Sequence, residues 1–218
     1  MASALDRLAT LERPPVLPGF ERIQRSWEPE HERWSARILP GEYFVTRSDE
    51  AIATVLGSCI SACVRDPVRR VGGMNHFMLP EDTTSGRSSW LDPQAGLATR
   101  YGSFAMESLI NDLLKCGARK ERLEVKLFGG GNILSALTDI GARNIEFARA
   151  FLRLERLAVS AEDVGDVFPR RVVYFPATGR VLVRRLKSLD RQQIVNAERQ
   201  HLAQMSERPA GNDVELFD

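Results

Sequence analysis

Residues 51–80 read AIATVLGSCISACVRDPVRRVGGMNHFMLP, and this stretch decides the fold. Its apolar segments at 51–56, 59–64 and 71–79 are short and rich in residues that favour strands. An Asp-Pro pair at 66–67, between the last two segments, is typical of a turn. The stretch therefore predicts one strand followed by an antiparallel β-hairpin.

The hairpin holds two of the chain's three cysteines and one of its three histidines. A pairing that closes around residues 66–70 can place Cys59 directly opposite His76, with Cβ atoms about 5 Å apart. A slip of one residue would put the two side chains on opposite faces. A free thiol has a pKa of about 8.5, and a neighbouring imidazolium stabilises its thiolate. The arrangement predicts a cysteine nucleophile with a histidine base.

The residues before Cys59 suit the same chemistry. Gly57 and Ser58 are small, so the chain can turn tightly there and a substrate can approach the backbone. The N–H groups of such a turn, including that of Cys59, can point at a developing oxyanion. Thr54, near the end of the preceding strand, can orient the imidazole of His76 as a third catalytic group.

Structural cysteines and a zinc site are the alternatives. Because cysteine is among the most buried residue types, Cys63 and Cys116 are expected to be structural. A zinc site would need Cys59, Cys63, His76 and Cys116 as its ligands. Within one strand, however, Cys59 and Cys63 would lie about 13 Å apart, too far for two ligands that each stand about 2.3 Å from one ion. We therefore predict no metal site.

The segment FGGGN at 128–132 is rich in glycine, but it lacks the Lys-Ser/Thr pair of a P-loop and the GxGxxG pattern. It predicts a tight turn between a strand and a helix. Its bare backbone can also form one wall of a substrate cleft, which makes Gly130 and Asn132 further candidates for substrate binding.

The rest of the chain predicts one domain with two extensions. Residues 1–38 predict an irregular arm with a short helical piece, residues 39–187 the compact domain, and residues 188–218 a peripheral helix and a tail. Strands followed by helix, strand, helix and hairpin favour an α/β fold of layered α+β type. The elements expected outside the first hairpin are a strand at 42–46, a flap at 80–100, a helix ended by Gly117, a strand at 123–128, a helix at 144–157 capped by Asn144, a hairpin with its turn at 176–179, and a helix from Asp190 to about Met205.

Charge and composition exclude several classes of function. The chain has 30 basic and 29 acidic residues, so no basic excess exists to neutralise the phosphates of a nucleic acid. No apolar run approaches the roughly 20 residues that span a bilayer, and the first residues lack the apolar segment of a secretion signal. Three cysteines in such a chain indicate a reducing compartment. We expect a cytoplasmic protein that does not insert into membranes.

Taken in order, these segments resemble the CheD family of bacterial chemoreceptor glutamine deamidases. The most specific part of the resemblance is the pair TVLGSCISACVRDP and GGMNHFMLP. The resemblance covers about residues 39 to 187, through the segments 54–67, 72–80, 100–118, 126–134, 140–152 and 161–186.

This resemblance implies an α/β fold related to the catalytic domain of glutamine-deamidating bacterial toxins. It also implies that Cys59 is the nucleophile, His76 the base and Thr54 the third catalytic residue. The implied enzyme is a protein-glutamine glutaminase that needs no cofactor and converts glutamine side chains of methyl-accepting chemotaxis receptors to glutamate. A CheC-type phosphatase or a phosphorylated response regulator is implied as a further partner.

Two other functions remain open from the residues alone. A non-catalytic adaptor would bind receptors or a signalling partner, although it would not need Cys59, His76 and Thr54. A thiol hydrolase acting on other amides or on receptor methyl esters would use the same three residues, and the sequence does not separate it from a deamidase.

Overall fold

The computed structural model describes residues 12–80, 97–133, 140–186 and 188–207. That part of the chain forms ten strands and three α-helices. The strands are β1 (Gln24–Glu28), β2 (Arg33–Arg37), β3 (Tyr43–Thr46), β4 (Ala51–Leu56), β5 (Ile60–Asp66), β6 (Val71–Asn75), β7 (Glu124–Gly129), β8 (Val159–Val164), β9 (Arg170–Phe175) and β10 (Arg180–Arg185). The helices are α1 (Leu97–Lys115), α2 (Ile140–Leu154) and α3 (Ser188–Glu207).

The strands form two five-stranded sheets. The first has the order β1-β2-β4-β9-β10 and the second has the order β3-β6-β5-β7-β8. Helices α1 and α2 contact the second sheet, and apolar side chains from both sheets and both helices share one core. The mixed α/β architecture confirms the predicted fold class. Because β4 and β5 belong to different sheets, the chain passes from one sheet to the other at residues 57–59.

The sequence left the register of the β5–β6 hairpin open, and the observed register differs by two residues from the one that places Cys59 opposite His76. Ile60, not Cys59, faces the returning strand at Phe77, and the same register continues along the hairpin. Cys59 is therefore not directly opposite His76. Since side chains alternate with a period of two, a shift of two residues leaves each side chain within the paired strands on the same face.

The N-terminal segment differs from its prediction. Instead of an irregular arm with a helical piece, residues 24–37 form the β1–β2 hairpin, in which Trp27 faces Trp34. Strand β2 then pairs in parallel with β4. Neither strand is long or strictly alternating, so the pattern is weak in sequence, and the free edge of β4 supplies the pairing partner.

The helices also begin earlier than predicted. Helix α2 begins at Ile140, so Asn144 lies inside it and is not its N-cap. The Asn144 side chain is fully buried and hydrogen-bonds outside its own helix, to the backbone of Ser58 and Leu79. Helix α1 starts at Leu97, inside the segment 80–100 that was predicted to be a flap. The greater part of the predicted flap, residues 81–96, lies outside the described residues.

Helix α3 is present where a C-terminal helix was predicted, but it is not merely peripheral, because Val195 and Glu198 on it are buried. None of the helices in the described ranges has the length and apolar character needed to cross a membrane. Strands β3, β4, β7 and the β9–β10 hairpin lie where the sequence predicts them.

Candidate active site

The first part of the site is a buried pair formed by Thr54 and His76. The Thr54 hydroxyl donates to the carbonyl of Ile38 at 2.7 Å and lies 2.8 Å from Nδ1 of His76. A hydroxyl has a single proton, so with that proton on the Ile38 carbonyl its oxygen accepts from Nδ1–H. This hydrogen bond selects the tautomer of His76 in which Nε2 carries the free lone pair.

The second nitrogen of His76 is available for chemistry. Nε2 is buried and has no hydrogen-bond partner within the described part of the chain. Burial, and then the proximity of His201, lower the pKa of His76 from its ordinary 6.5 to about 3. The imidazole is therefore neutral at neutral pH, and Nε2 can accept a proton. The main chain of His76 is anchored on both sides, at the Glu42 carbonyl and the Gly41 N–H.

The second part of the site is the turn at residues 57–59. Each of its three carbonyl groups accepts a hydrogen bond from a neighbouring segment. The N–H of Gly130 donates to the Cys59 carbonyl and that of Gly131 to the Gly57 carbonyl, both at 2.7 Å. The Asn144 side-chain nitrogen donates to the Ser58 carbonyl at 2.8 Å. With their carbonyls bound in this way, the three residues of the turn present their N–H groups to one common point.

That point is occupied by the carboxylate of Glu198 from helix α3. Its Oε1 accepts from the N–H of Gly57 at 3.0 Å and from that of Cys59 at 3.2 Å. Its Oε2 accepts from the N–H of Ser58 at 3.0 Å and from the Ser58 hydroxyl at 2.7 Å. Four hydrogen bonds thus hold a carboxylate on the turn that carries Cys59.

The two cysteines of β5 and its preceding turn differ in their surroundings. Both are buried, and burial raises the pKa of each thiol. For Cys59 the pKa is raised further by the negative charge of the nearby Glu198 carboxylate. Cys63 lies at mid-strand, opposite Met74. As the structure stands, Cys59 is therefore a protonated thiol on a turn built to bind a carboxylate.

The remaining predicted site residues, Gly130 and Asn132, reach the site differently. The Gly130 N–H is used in holding the Cys59 carbonyl, so Gly130 supports the turn. The Asn132 N–H donates to the carbonyl of Asp166, and its side chain is exposed. A direct contact of either residue with a substrate stays a prediction.

Sequence reasoning missed two residues of the site, Asn144 and Glu198. An asparagine near the start of a helical pattern favours an N-cap, and nothing local indicates that its amide reaches a turn 86 residues away. Glu198 lies in a polar helical segment, where a glutamate is ordinarily solvated. Only its burial, with 3 % of its surface exposed, singles it out.

Among the described residues, the ligand atoms close enough to share a metal ion belong to Glu28, Glu30 and His31. This group contains none of the cysteines and not His76. It consists of surface and half-buried side chains of β1 and the turn after it.

The chain is similar in sequence to proteins of one family. A family model described as CheD, chemotactic sensory transduction, matches residues 78–185. Three relatives bear the name "Probable chemoreceptor glutamine deamidase CheD". The chain is 48 % identical over 204 residues to the one from Halorhodospira halophila, covering 94 % of each chain. It is 50 % identical to the one from Hydrogenovibrio crunogenus, covering 89 % of this chain and all of the relative.

A third relative, from Saccharophagus degradans, is 43 % identical with both chains fully covered. Similarity therefore extends beyond residues 39–187, to which the resemblance was assigned, and takes in both extensions. Among solved structures, that of the Bacillus licheniformis hypothetical protein YfiH covers 58 % of this chain and 49 % of its own, with a TM-score of 0.36 and 12 % identity. That likeness is too low to establish a common fold.

Proposed function

From the premise that this chain belongs to the CheD family, we propose that it deamidates glutamine side chains of chemoreceptors in chemotaxis, with Cys59 as the nucleophile. The observation that carries the mechanism is the carboxylate held by the N–H groups of residues 57–59. A glutamate carboxylate is the product of glutamine deamidation. The turn that carries the thiol thus binds the chemical group that the reaction would leave behind.

The first half of the reaction forms a thioester. A substrate carboxamide takes the place of the carboxylate, with its oxygen on the N–H groups of Gly57 and Cys59, where negative charge develops. The Cys59 sulfur attacks the carboxamide carbon, and the thiol proton passes to Nε2 of His76. His76 then gives this proton to the nitrogen, the C–N bond breaks, and ammonia leaves.

The second half hydrolyses the thioester. Water attacks the thioester carbon and transfers a proton to Nε2 of His76, and the C–S bond breaks as His76 returns the proton to sulfur. The net change is one carboxamide and one water converted to one carboxyl group and one ammonia. Thr54 acts as a positioning residue, because it holds Nδ1–H and leaves Nε2 free in both halves.

The proposal includes the place of action and the partners. We propose that the chain acts in the cytoplasm on the glutamines of methyl-accepting chemotaxis receptors. A CheC-type phosphatase or a phosphorylated response regulator as a further partner stays a prediction, as does the relation of the fold to glutamine-deamidating toxins.

The test is mass spectrometry of a receptor cytoplasmic fragment after incubation with the full chain. We expect specific glutamines to gain the mass that corresponds to replacement of NH₂ by OH, with an equal amount of ammonia released. Cys59→Ala should abolish both signals, because no thioester can form. Cys63→Ala is the matched control, since Cys63 is also buried in this hairpin and should be dispensable for chemistry.

Three outcomes would contradict the proposal. Conversion of glutamines by a folded Cys59→Ala variant would remove Cys59 from the mechanism. Absence of conversion by the wild-type chain and by variants with a freed active site would favour the adaptor, which binds receptors without modifying them. Loss of receptor methyl esters in place of amides would favour the esterase.

A further inference from the structure

Helix α3 covers the site with one stripe of side chains. Val195 and Glu198 are buried, and Leu202 packs against the main core. These positions follow the spacing i, i+3 and i+7, which places them on one face of a helix. Of the side chains between these positions, Asn196, Ala197, Arg199 and Gln200 are exposed and His201 is half-buried.

Among the described side chains of α3, Glu198 is the one polar side chain that is buried. Its carboxylate fills a space that Gly57 leaves open. A Cβ atom on Gly57 would stand 2.8 Å from each carboxylate oxygen of Glu198, too close for either to remain. The glycine therefore keeps open the volume in which the carboxylate lies. The same volume would hold the reacting carboxamide in the proposed mechanism.

Glu198 also leaves the nucleophile and the base in resting states. The carboxylate is held on the N–H of Cys59 itself, and burial together with its negative charge raises the thiol pKa. His201, one turn further along α3, lies close enough to His76 to lower the pKa of that imidazole. With α3 docked, neither the thiolate nor the imidazolium is favoured.

We propose that α3 is an intramolecular product analogue, whose Glu198 side chain occupies the carboxamide site until a receptor segment displaces it. The inference rests on the proposed function, because the analogy is between Glu198 and the glutamate that deamidation produces. A substrate glutamine has the same length of side chain and the same carbonyl oxygen. It differs in presenting an NH₂ group where Oε2 of Glu198 accepts from both the hydroxyl and the N–H of Ser58. The hydroxyl can accept from the NH₂ group but the N–H cannot, so the carboxylate fits this position better than the carboxamide does.

The sharpest experiment converts the analogue into a substrate. In the full-length Glu198→Gln variant, Cys59 should attack the carboxamide at position 198, release ammonia and restore glutamate. We expect peptide mass spectrometry of the purified variant to find glutamate at position 198. The double variant Glu198→Gln with Cys59→Ala should retain glutamine there. The natural glutamine at position 200, which is exposed on the same helix, is the internal control and should stay unchanged in both.

Retention of glutamine at position 198 in a variant that still deamidates receptors would overturn the inference. The proposed function would survive that result, since receptor glutamines would still be converted. Retention together with inactivity on receptors would count against the function itself. The two failures are therefore distinguishable.

A second variant measures the inhibition. Glu198→Ala should raise the rate of receptor deamidation at low substrate. A wild-type site that is free of Glu198 about a tenth of the time binds substrate about tenfold more weakly than a site that is always free. It should also increase the rate at which iodoacetamide alkylates Cys59. Arg199→Ala, an exposed neighbour on α3, is the matched control and should leave both rates unchanged. Equal rates for Glu198→Ala and wild type would overturn the inference.

Discussion

The two ends of the β5 segment each hold a buried carboxylate on backbone N–H groups. At the C-terminal end, Asp66 accepts from the N–H groups of Val68, Arg69 and Arg119, at 2.9–3.0 Å. The guanidinium of Arg122 adds charge-assisted bonds at 2.6 Å and 2.9 Å. These bonds hold the pKa of Asp66 well below its ordinary 3.8, although burial opposes them.

At the N-terminal end, the carboxylate of Glu198 meets three consecutive N–H groups in a similar way. The difference is its origin, because Glu198 lies about 140 residues along the chain from the turn that binds it. Among the described residues, moreover, no ion pair joins Glu198 to a lysine or arginine. Asp66 is thus a permanent anchor made largely by its own turn and by Arg122. The N–H groups at residues 57–59 form an equivalent cradle that is supplied with a carboxylate from outside and can exchange it.

The largest expected effect is a difference in how much each carboxylate contributes to the free energy of unfolding. Asp66→Ala removes the partner of Arg122 and leaves three N–H groups unpaired, so the free energy of unfolding should fall by about 3–5 kcal/mol. Glu198→Ala should cost no more than about 1.4 kcal/mol, the free energy of a tenfold preference for the docked helix, because water can reach the cradle once α3 moves away. Urea unfolding of both variants checks this. Equal losses would mean that Glu198 is as structural as Asp66.

The next effect concerns what holds the cradle open when Glu198 is absent. Asn144→Ala leaves the Ser58 carbonyl and the Leu79 N–H without their buried partner, which should lower the free energy of unfolding by about 2 kcal/mol. It should also lower kcat for ammonia release about tenfold, because the N–H groups of residues 57–59 are no longer held in the orientation that stabilises the oxyanion. Asn111→Ala, on the exposed side of α1, is the control. An unchanged kcat would show that the cradle does not depend on Asn144.

The smallest expected effect is a difference between the two ends of β5 in how their contributions to the free energy of unfolding depend on pH. His76 has its pKa lowered to about 3, so below pH 6.5 the unfolded chain binds a proton that the folded chain does not. Its contribution is complete above pH 6.5 and is lost as the pH falls toward 3, by about 2 kcal/mol between pH 7 and pH 5. Asp66, whose pKa is also lowered, loses its contribution only below its ordinary 3.8.

The measurement is the free energy of unfolding of wild type minus that of His76→Gln, between pH 7 and pH 5. The difference cancels the groups that the two chains share, including the buried Glu50, whose raised pKa acts in the opposite direction. A difference that does not change with pH would show that His76 titrates as freely in the folded chain as in the unfolded one.

Much of the site's composition could be predicted from the sequence. Thr54, Cys59 and His76 were identified by residue type and by their places around one turn and one hairpin, and the structure brings Thr54 and His76 to 2.8 Å. The hairpin register could not be settled from the sequence, since alternation constrains the face of each side chain and not which residue it faces. The catalytic roles of these residues stay predictions until the variants are measured.

Contacts between distant segments could not be predicted in the same way. A buried asparagine and a helix cap have similar local patterns, so Asn144 was assigned to the start of α2 and its bond to Ser58 was missed. The β1–β2 hairpin depends on the free edge of β4, which exists only in the assembled sheet.

The sequence by itself determined strands β3–β7, β9 and β10, the turn at residues 57–59 and the chemical groups placed on it, because these depend on local periodicity and on residue type. The tertiary structure alone decided what the N–H groups of that turn bind. Glu198 sits in a polar segment whose pattern is typical of a solvated helix, and its role follows from where α3 docks. Docking depends on a few long-range contacts, which leave almost no periodic signal in the chain.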